Sequence, residues 1–249
     1  MNVTVKQVSV PHHGRVMDAD YYLPEGSGPR AAVVLCHGFG GDKMLFAWLA
    51  EYFAQQGLAA LCVSLCGGGL GDLSGFPSTS MTIFTQVEDA LAAHAWVKEQ
   101  PDVIREQVYL FGESHGGMAS ALAAVREPDA MRALMLLYPA LCVPDDWRMR
   151  FPRVEDMPEG FVFWDLPLGR EYLKAVHDMD IFQEIRGYHG PTLIMHGADD
   201  PIVNVSYSER AVSCYEQGEL HIVPGEGHGF TAEGREVVKR LCMAFINSH

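Results

Sequence analysis

The chain is short of positive charge, of long apolar runs and of paired cysteines, and each shortage closes off a class of function. Lys and Arg number 18 against 32 Asp and Glu, a formal net charge of -14 over 249 residues. Such a chain repels phosphate backbones, and no Lys/Arg stripe reverses this locally, so nucleic acid is not an expected partner. The same balance argues against an anionic membrane, and no apolar run is long enough to span a bilayer. The opening MNVTVKQVSV lacks the basic and then apolar regions of a secretory signal, which points to a cytoplasmic location. Cys36, Cys62, Cys66, Cys142, Cys214 and Cys242 are scattered. Cys62 and Cys66 are too widely spaced for a C-x-x-C redox pair, and no Cys/His group has zinc spacing. Most of these cysteines sit in apolar segments such as AAVVLCHG, where a buried free thiol is the plain reading. His12, His13 and His249 read as solvated. Internal repeats and low-complexity stretches are missing too.

What is present builds a core. Hydrophobic residues make up 48% of the chain, which argues against disorder, and the length suits one sizeable domain. VTVKQVSV and MDADYYLP alternate on either side of a turn at HHGRV, the pattern of a hairpin. AAVVLCHG is a continuous apolar run, expected of a parallel strand buried on both faces. Helical spacing over 44–56 ends at Gly57, and LAALCVSL is a second buried strand. A Gly-rich loop, CGGGLGDLSG, leads to a helix over 84–98, the strand QVYLFG, the small-residue helix MASALAAVRE and the strand MRALMLLYPA. This alternation predicts an α/β fold: a doubly wound, mostly parallel sheet with helices on both faces. The rhythm breaks over 139–190, which is rich in Pro, aromatics and charge and shows no buried strand of its own. It resumes with PTLIMHG, a helix near 207–216, the strand ELHIVPG and a final helix over about 233–246. Residues 1–138 and 191–249 are therefore expected to form one core, with 139–190 inserted as a cap.

Gly112-Glu113-Ser114-His115-Gly116 matches G-x-S-x-G between a strand and a helix. Such a turn is tight, lifts the Ser114 hydroxyl above the sheet edge, and leaves no room for bulky side chains two positions either side. The helix N–H groups that follow favour negative charge. A serine hydroxyl is a weak nucleophile and needs a base. Where this motif opens a hydrolase helix, the chain order is Ser, acid, His. Two loops at the carboxyl ends of later strands, where open α/β sheets bind ligands, supply the rest. HGADDPIVN offers Asp199 or Asp200, and PGEGHGF offers His228 as general base and then general acid. His221 lies within a strand, and His115 begins the helix and is expected to point elsewhere.

In this order and over nearly the whole chain, these motifs resemble the α/β-hydrolase superfamily, and more closely the bacterial feruloyl (cinnamoyl) esterases. The closer likeness rests on HGFGGDK, on chain size, on the 139–190 insertion, and on GPTLIMHGADDPIV…LHIVPGEGHGF. The resemblance implies that Asp200, at the end of H-G-x-x-D, is the acid. It makes HGFGG the oxyanion loop, with the backbone N–H groups of Phe39 and His115 facing the developing oxyanion and His37 bracing the loop. It implies hydrolysis of a small-molecule ester through an acyl-enzyme, with hydroxycinnamate esters as substrates and no cofactor or metal. A homodimer is compatible with it. Trp147, Phe151, Phe161, Phe163, Trp164 and Tyr172 would wall a flat phenolic pocket, although cap aromatics mostly pack the cap itself. In the esterases resembled, polar cap residues meet the ring hydroxyl. Asp146 in DDW and Tyr172 in REYL stand at the corresponding places, with Trp164 as a further substrate-binding residue.

The chain departs from the pattern twice. Relatives commonly carry D-x-x-G-H-G-x-S after the fourth strand, where SLCGGGLGDLSG stands here. They also often have His before the serine and Gln or Met after it, where this chain has Glu113 and His115. Glu113 is expected to raise the local negative potential or to pair with a cap Arg. The alternatives are a short-chain carboxylesterase or monoacylglycerol lipase, a peptidase of the same fold, disfavoured by the lack of a further gating domain, and a non-enzymatic binding protein. A dehalogenase would need Asp at 114.

Overall fold

Residues 2–249 are described by the structure, a computed structural model. In chain order the elements are β1 (Val3–His12), β2 (Arg15–Pro24), β3 (Arg30–Cys36), α1 (Ala47–Gln55), β4 (Ala59–Val63), α2 (Ile83–Lys98), β5 (Val103–Glu113), α3 (Ser114–Arg126) and β6 (Leu134–Leu137). Then follow α4 (Val143–Arg150), β7 (Gly160–Phe163), β8 (Leu166–Gly169), α5 (Arg170–His177), α6 (Ile181–Glu184), β9 (Thr192–Gly197), α7 (Ser206–Val212), β10 (Gly218–Val223) and α8 (Ala232–Ser248). Eight strands form one sheet in the order β1-β2-β4-β3-β5-β6-β9-β10. The β1–β2 and β2–β4 pairs are antiparallel and every later pair is parallel. This is the α/β-hydrolase fold.

The apolar runs are continuous because both faces of the sheet are covered. Along β3, Ala32, Val34 and Cys36 face one core with α2 and α3, while Val33 and Leu35 face the other with α1 and α8. Helix α2 starts on a capping box, in which the Thr82 hydroxyl accepts from Thr85 N–H and the Thr85 hydroxyl accepts from Thr82 N–H. All six cysteines are free and buried. Among the described residues no helix is long and apolar enough to cross a membrane.

The structure differs from the sequence pattern in four places. The helix expected from residue 44 opens as a 3-10 turn, Lys43–Phe46, capped by Asp42. The last parallel strand before the 139–190 segment stops at Leu137, because Tyr138 takes φ +34 and turns the chain. The 139–190 segment is not strandless: β7 and β8 pair as an antiparallel hairpin. Its turn residues, Trp164 and Asp165, have φ +45 and +63, the conformation that strand twist demands of a two-residue turn. Neither is Gly or Asn, so the usual turn signal was missing. Finally, His12 is not solvated: its side chain is 7% exposed and its Nε2 lies 2.6 Å from Asp89 of α2.

Candidate active site

The site grows from the junction of β5 and α3. Ser114 sits there with φ +49, a strained conformation for a residue with a side chain. The flanking glycines are required sterically. A Cβ at Gly112 would run into the Gly116 carbonyl and the Ser120 hydroxyl, and one at Gly116 into the carbonyls of His37 and Cys36. The loops after β9 and β10 close on this point. His228 Nε2 lies 3.0 Å from Ser114 Oγ, and its Nδ1 lies 2.8 Å from Asp200 Oδ2. A carboxylate only accepts, so Nδ1 carries the proton and Nε2 is free to accept from the serine hydroxyl. Asp200, not its exposed neighbour Asp199, faces His228. Burial alone would raise the Asp200 carboxyl. Hydrogen bonds from His196, His228 and the N–H groups of Val203 and Ile202 outweigh it and hold the group well below the usual carboxylate range.

The loop after β3 passes beside the serine. His37 Nε2 accepts from Leu65 N–H at 2.9 Å, and its Nδ1 donates to the Gly38 carbonyl at 2.7 Å. Burial lowers its pKa, so the ring stays neutral and braces the loop. The unusual segment after β4 gives a second brace. Gly40 N–H donates to the Gly68 carbonyl at 2.8 Å, and Gly69 packs so closely on the Gly41 carbonyl that no Cβ would fit. Asp72 ties that segment to itself by accepting from Gly67 N–H and the Ser74 hydroxyl. Phe39 N–H and His115 N–H, the latter in the first turn of α3, take no protein acceptor among the described residues.

Ser114 lies at the foot of a cavity of about 390 Å³, and Asp146, Trp164 and Tyr172 line it too. The walls are mostly aromatic. Phe163 stacks on Trp164, Phe39 meets both edge-on, and Trp147 packs against Phe163 and Tyr172. The same aromatics thus pack the 139–190 segment and face the cavity. His115 also reaches it. Its Nδ1 lies 2.7 Å from Gln86 Oε1 and its Nε2 2.9 Å from the Tyr172 hydroxyl. With the amide oxygen accepting, Nδ1 carries the proton and Tyr172 donates to Nε2. Burial lowers the His115 pKa to about 4, so the ring is neutral.

Glu113 has no partner from the 139–190 segment, contrary to one expectation. Its carboxyl faces the Tyr138 hydroxyl, His228 and Arg235 of α8, and burial pushes its pKa up to about 7 against their opposing pull. The Tyr138 ring in turn packs on His228, with centroids 4.5 Å apart. Gln86, Tyr138, His196 and Ser208 were not singled out by sequence patterns. His196 alone had a signal, standing four residues before Asp200 in HGADD. Among the described residues one group of side chains has ligand atoms close enough for a cation, His12, Cys66 and Asp89, within 4.8 Å of one another. Arg15, 3.3 Å from Asp89, already supplies positive charge there.

The model of the family described as serine aminopeptidase, S33, matches residues 27–161. The chain belongs to that family. Over 212 residues the chain is 32% identical to an uncharacterized protein of Mycobacterium tuberculosis, covering 84% of this chain and 66% of that one. It therefore spans slightly less than two thirds of that relative's length. A non-heme haloperoxidase of Rhodococcus erythropolis is 37% identical over 79 residues, 31% of this chain and 29% of its own. Among solved structures, Est1E from Butyrivibrio proteoclasticus with ferulic acid bound superposes with a TM-score of 0.86, over 96% of this chain and 99% of that one at 24% identity. The fold is thus that of Est1E.

Proposed function

We propose that the protein is a serine esterase that cleaves carboxylic esters through an acyl-enzyme, with hydroxycinnamate esters as its substrates. One observation carries the reading: Ser114, His228 and Asp200 are linked by hydrogen bonds of 3.0 and 2.8 Å at the foot of an aromatic-walled cavity. Ser114 Oγ attacks the ester carbonyl as His228 Nε2 takes its proton. The N–H groups of Phe39 and His115 receive the negative charge that develops on oxygen. Collapse of the tetrahedral species expels the alcohol, which leaves with the proton from His228. Water then attacks the acyl-serine, giving its proton to His228, and the acid departs as Ser114 is restored.

Residues 139–190 act as the cap, and the cap reads the acyl group. The reacting groups touch only the ester carbonyl and cannot tell a ferulate from a butyrate. A flat ring would lie against the wall made by Phe39, Trp147, Phe163 and Trp164, and among the described residues Asp146 is the only carboxylate lining the cavity, able to accept from a phenol. The likeness in fold to Est1E, solved with ferulic acid, agrees with this choice. The same carboxylate favours a second reading, aminopeptidase activity, because a free α-ammonium needs an anion beside it. A hydrolysis panel separates them. Methyl ferulate and chlorogenate should be cleaved faster than aliphatic p-nitrophenyl esters and a monoacylglycerol, and amino-acyl p-nitroanilides scarcely at all. Preference for the aliphatic esters would make it a general carboxylesterase, and preference for the anilides a peptidase.

A further inference from the structure

A second histidine reaches the acid that holds His228. His196, near the end of β9, is fully buried. Its Nε2 lies 2.9 Å from the Val203 carbonyl and 3.3 Å from Asp200 Oδ2, and its Nδ1 lies 2.7 Å from the buried hydroxyl of Ser208. The acceptors decide the tautomer. A carbonyl and a carboxylate can only accept, so Nε2 carries the proton and Nδ1 accepts from Ser208. A neutral His196 satisfies every one of these bonds. Asp200 Oδ2 therefore accepts from His228 and also lies within 3.3 Å of His196 Nε2, whose N–H is shared with the Val203 carbonyl, while Oδ1 takes the backbone N–H groups of Ile202 and Val203 at 2.8 and 2.9 Å. Five side chains, Ser208, His196, Asp200, His228 and Ser114, follow one another from α7 to the nucleophile, joined by hydrogen bonds except at the 3.3 Å contact between His196 and Asp200.

We propose that His196 is a positioning residue for catalysis: by donating to Asp200 Oδ2 it fixes that oxygen against His228 and moderates how strongly the carboxylate holds a proton on His228. The inference rests on the reading of Ser114, His228 and Asp200 as the reacting triad. The location argues against simple core filling. Leu193, Ile194 and Met195 of the same strand are buried and apolar, and a fourth apolar residue would pack as well. It would also leave the Val203 carbonyl and Oδ2 each short of a donor. Sharing Oδ2 between two donors spreads its charge, so losing one donor strengthens the pull on the His228 proton. The other groups facing this pair are Glu113 of β5 and Tyr138 after β6, with Arg235 of α8 behind them. Their identity is unchanged in His196 variants.

The test is the pH dependence of kcat/KM for p-nitrophenyl butyrate in the full chain. His196→Leu removes the donor at similar volume. Its acid limb should move up by about half to one pH unit, and its plateau should fall roughly tenfold. His196→Gln, which can restore an N–H donor, should lie nearer to wild type on both counts. A limb that coincides with wild type in a folded His196→Leu protein overturns the inference, even if its melting temperature falls. Should that variant not fold, His196→Asn, too short to reach Oδ2, is measured instead, and an unmoved limb there overturns it equally. Failure of the triad reading is distinguished by Ser114→Ala: a wild-type limb and rate in that variant refute the triad itself.

Discussion

The turn at Ser114 and the turn at Trp164 both place non-glycine residues at positive φ, yet they are held in opposite ways. Ser114 is only 7% exposed, with the carbonyls of Cys36 and His37 packed against Gly116, and the Gly116 carbonyl and Ser120 hydroxyl packed against Gly112. Trp164 is 53% exposed at the tip of two four-residue strands. That hairpin is joined to the core by the edge-on contact of Phe163 with Phe39 and by a 2.7 Å hydrogen bond from Ser78 to the Pro167 carbonyl. The first turn is over-determined by the sheet, and the second is set by a few side chains. A chemical step that needs reacting atoms in near-fixed geometry belongs on the first kind of support. A wall that sorts acyl groups can rest on the second.

The largest expected break in this comparison is Ser114→Ala, which should cost on the order of 10⁶ in turnover while the fold persists. Fluorophosphonate labelling and circular dichroism read both halves, and residual activity near wild type would remove Ser114 from the chemistry. Next comes Asp200→Asn, which favours the wrong His228 tautomer and should cost on the order of 10⁴. Asp199→Asn, on an exposed side chain, should cost little, and the reverse ranking in kcat/KM would exchange their roles.

The cap side sharpens the comparison with smaller effects. Asp146→Ala should weaken methyl ferulate by roughly 1–3 kcal/mol relative to p-nitrophenyl butyrate, the range of one buried hydrogen bond. Tyr172→Phe should lower both substrates alike, because the hydroxyl donates to His115 rather than into the cavity. Equal ratios of kcat/KM in wild type and Asp146→Ala would take the carboxylate out of substrate recognition.

The smallest expected effect is on stability. Burial raises the Glu113 carboxyl from its ordinary 4.5 to about 7. Between those values the folded state binds the proton more tightly than the unfolded chain. This contribution is therefore fully present below about 4.5 and is lost as pH rises through about 7. Glu113→Gln should accordingly gain melting temperature relative to wild type at pH 8 but not at pH 4. An equal difference at both would mean the carboxyl is not desolvated.

The parallel strands were legible because a strand covered on both faces carries a continuous apolar run, as residues 31–36 of β3, the whole of β4 and residues 193–195 of β9 do. The reacting residues were legible because the fold places them on loops after those strands, with Gly or Asp patterns of their own. The β7–β8 hairpin was not, since its turn is made by Trp164 and Asp165, and tertiary stacking rather than turn chemistry stabilises it. His12 misled for a different reason. Beside His13 in a hairpin turn it looked solvated, and only the packing of α2 against β1 brings Asp89 to it. His196 and Tyr138 come to the reacting groups only through the pairing of β6 with β9 beside the loop carrying His228, which no local pattern encodes.

A Cys142→Ser variant, freed of the thiol that lines the cavity and left with buried thiols elsewhere, should be silent toward a maleimide. A single cysteine introduced at Val162, which is 65% exposed on the outer face of β7, would then be the one site a fluorophore finds. Its emission would follow the hairpin alone, with no correction for labels elsewhere, and would turn the aromatic wall of the cavity into something that can be watched during turnover.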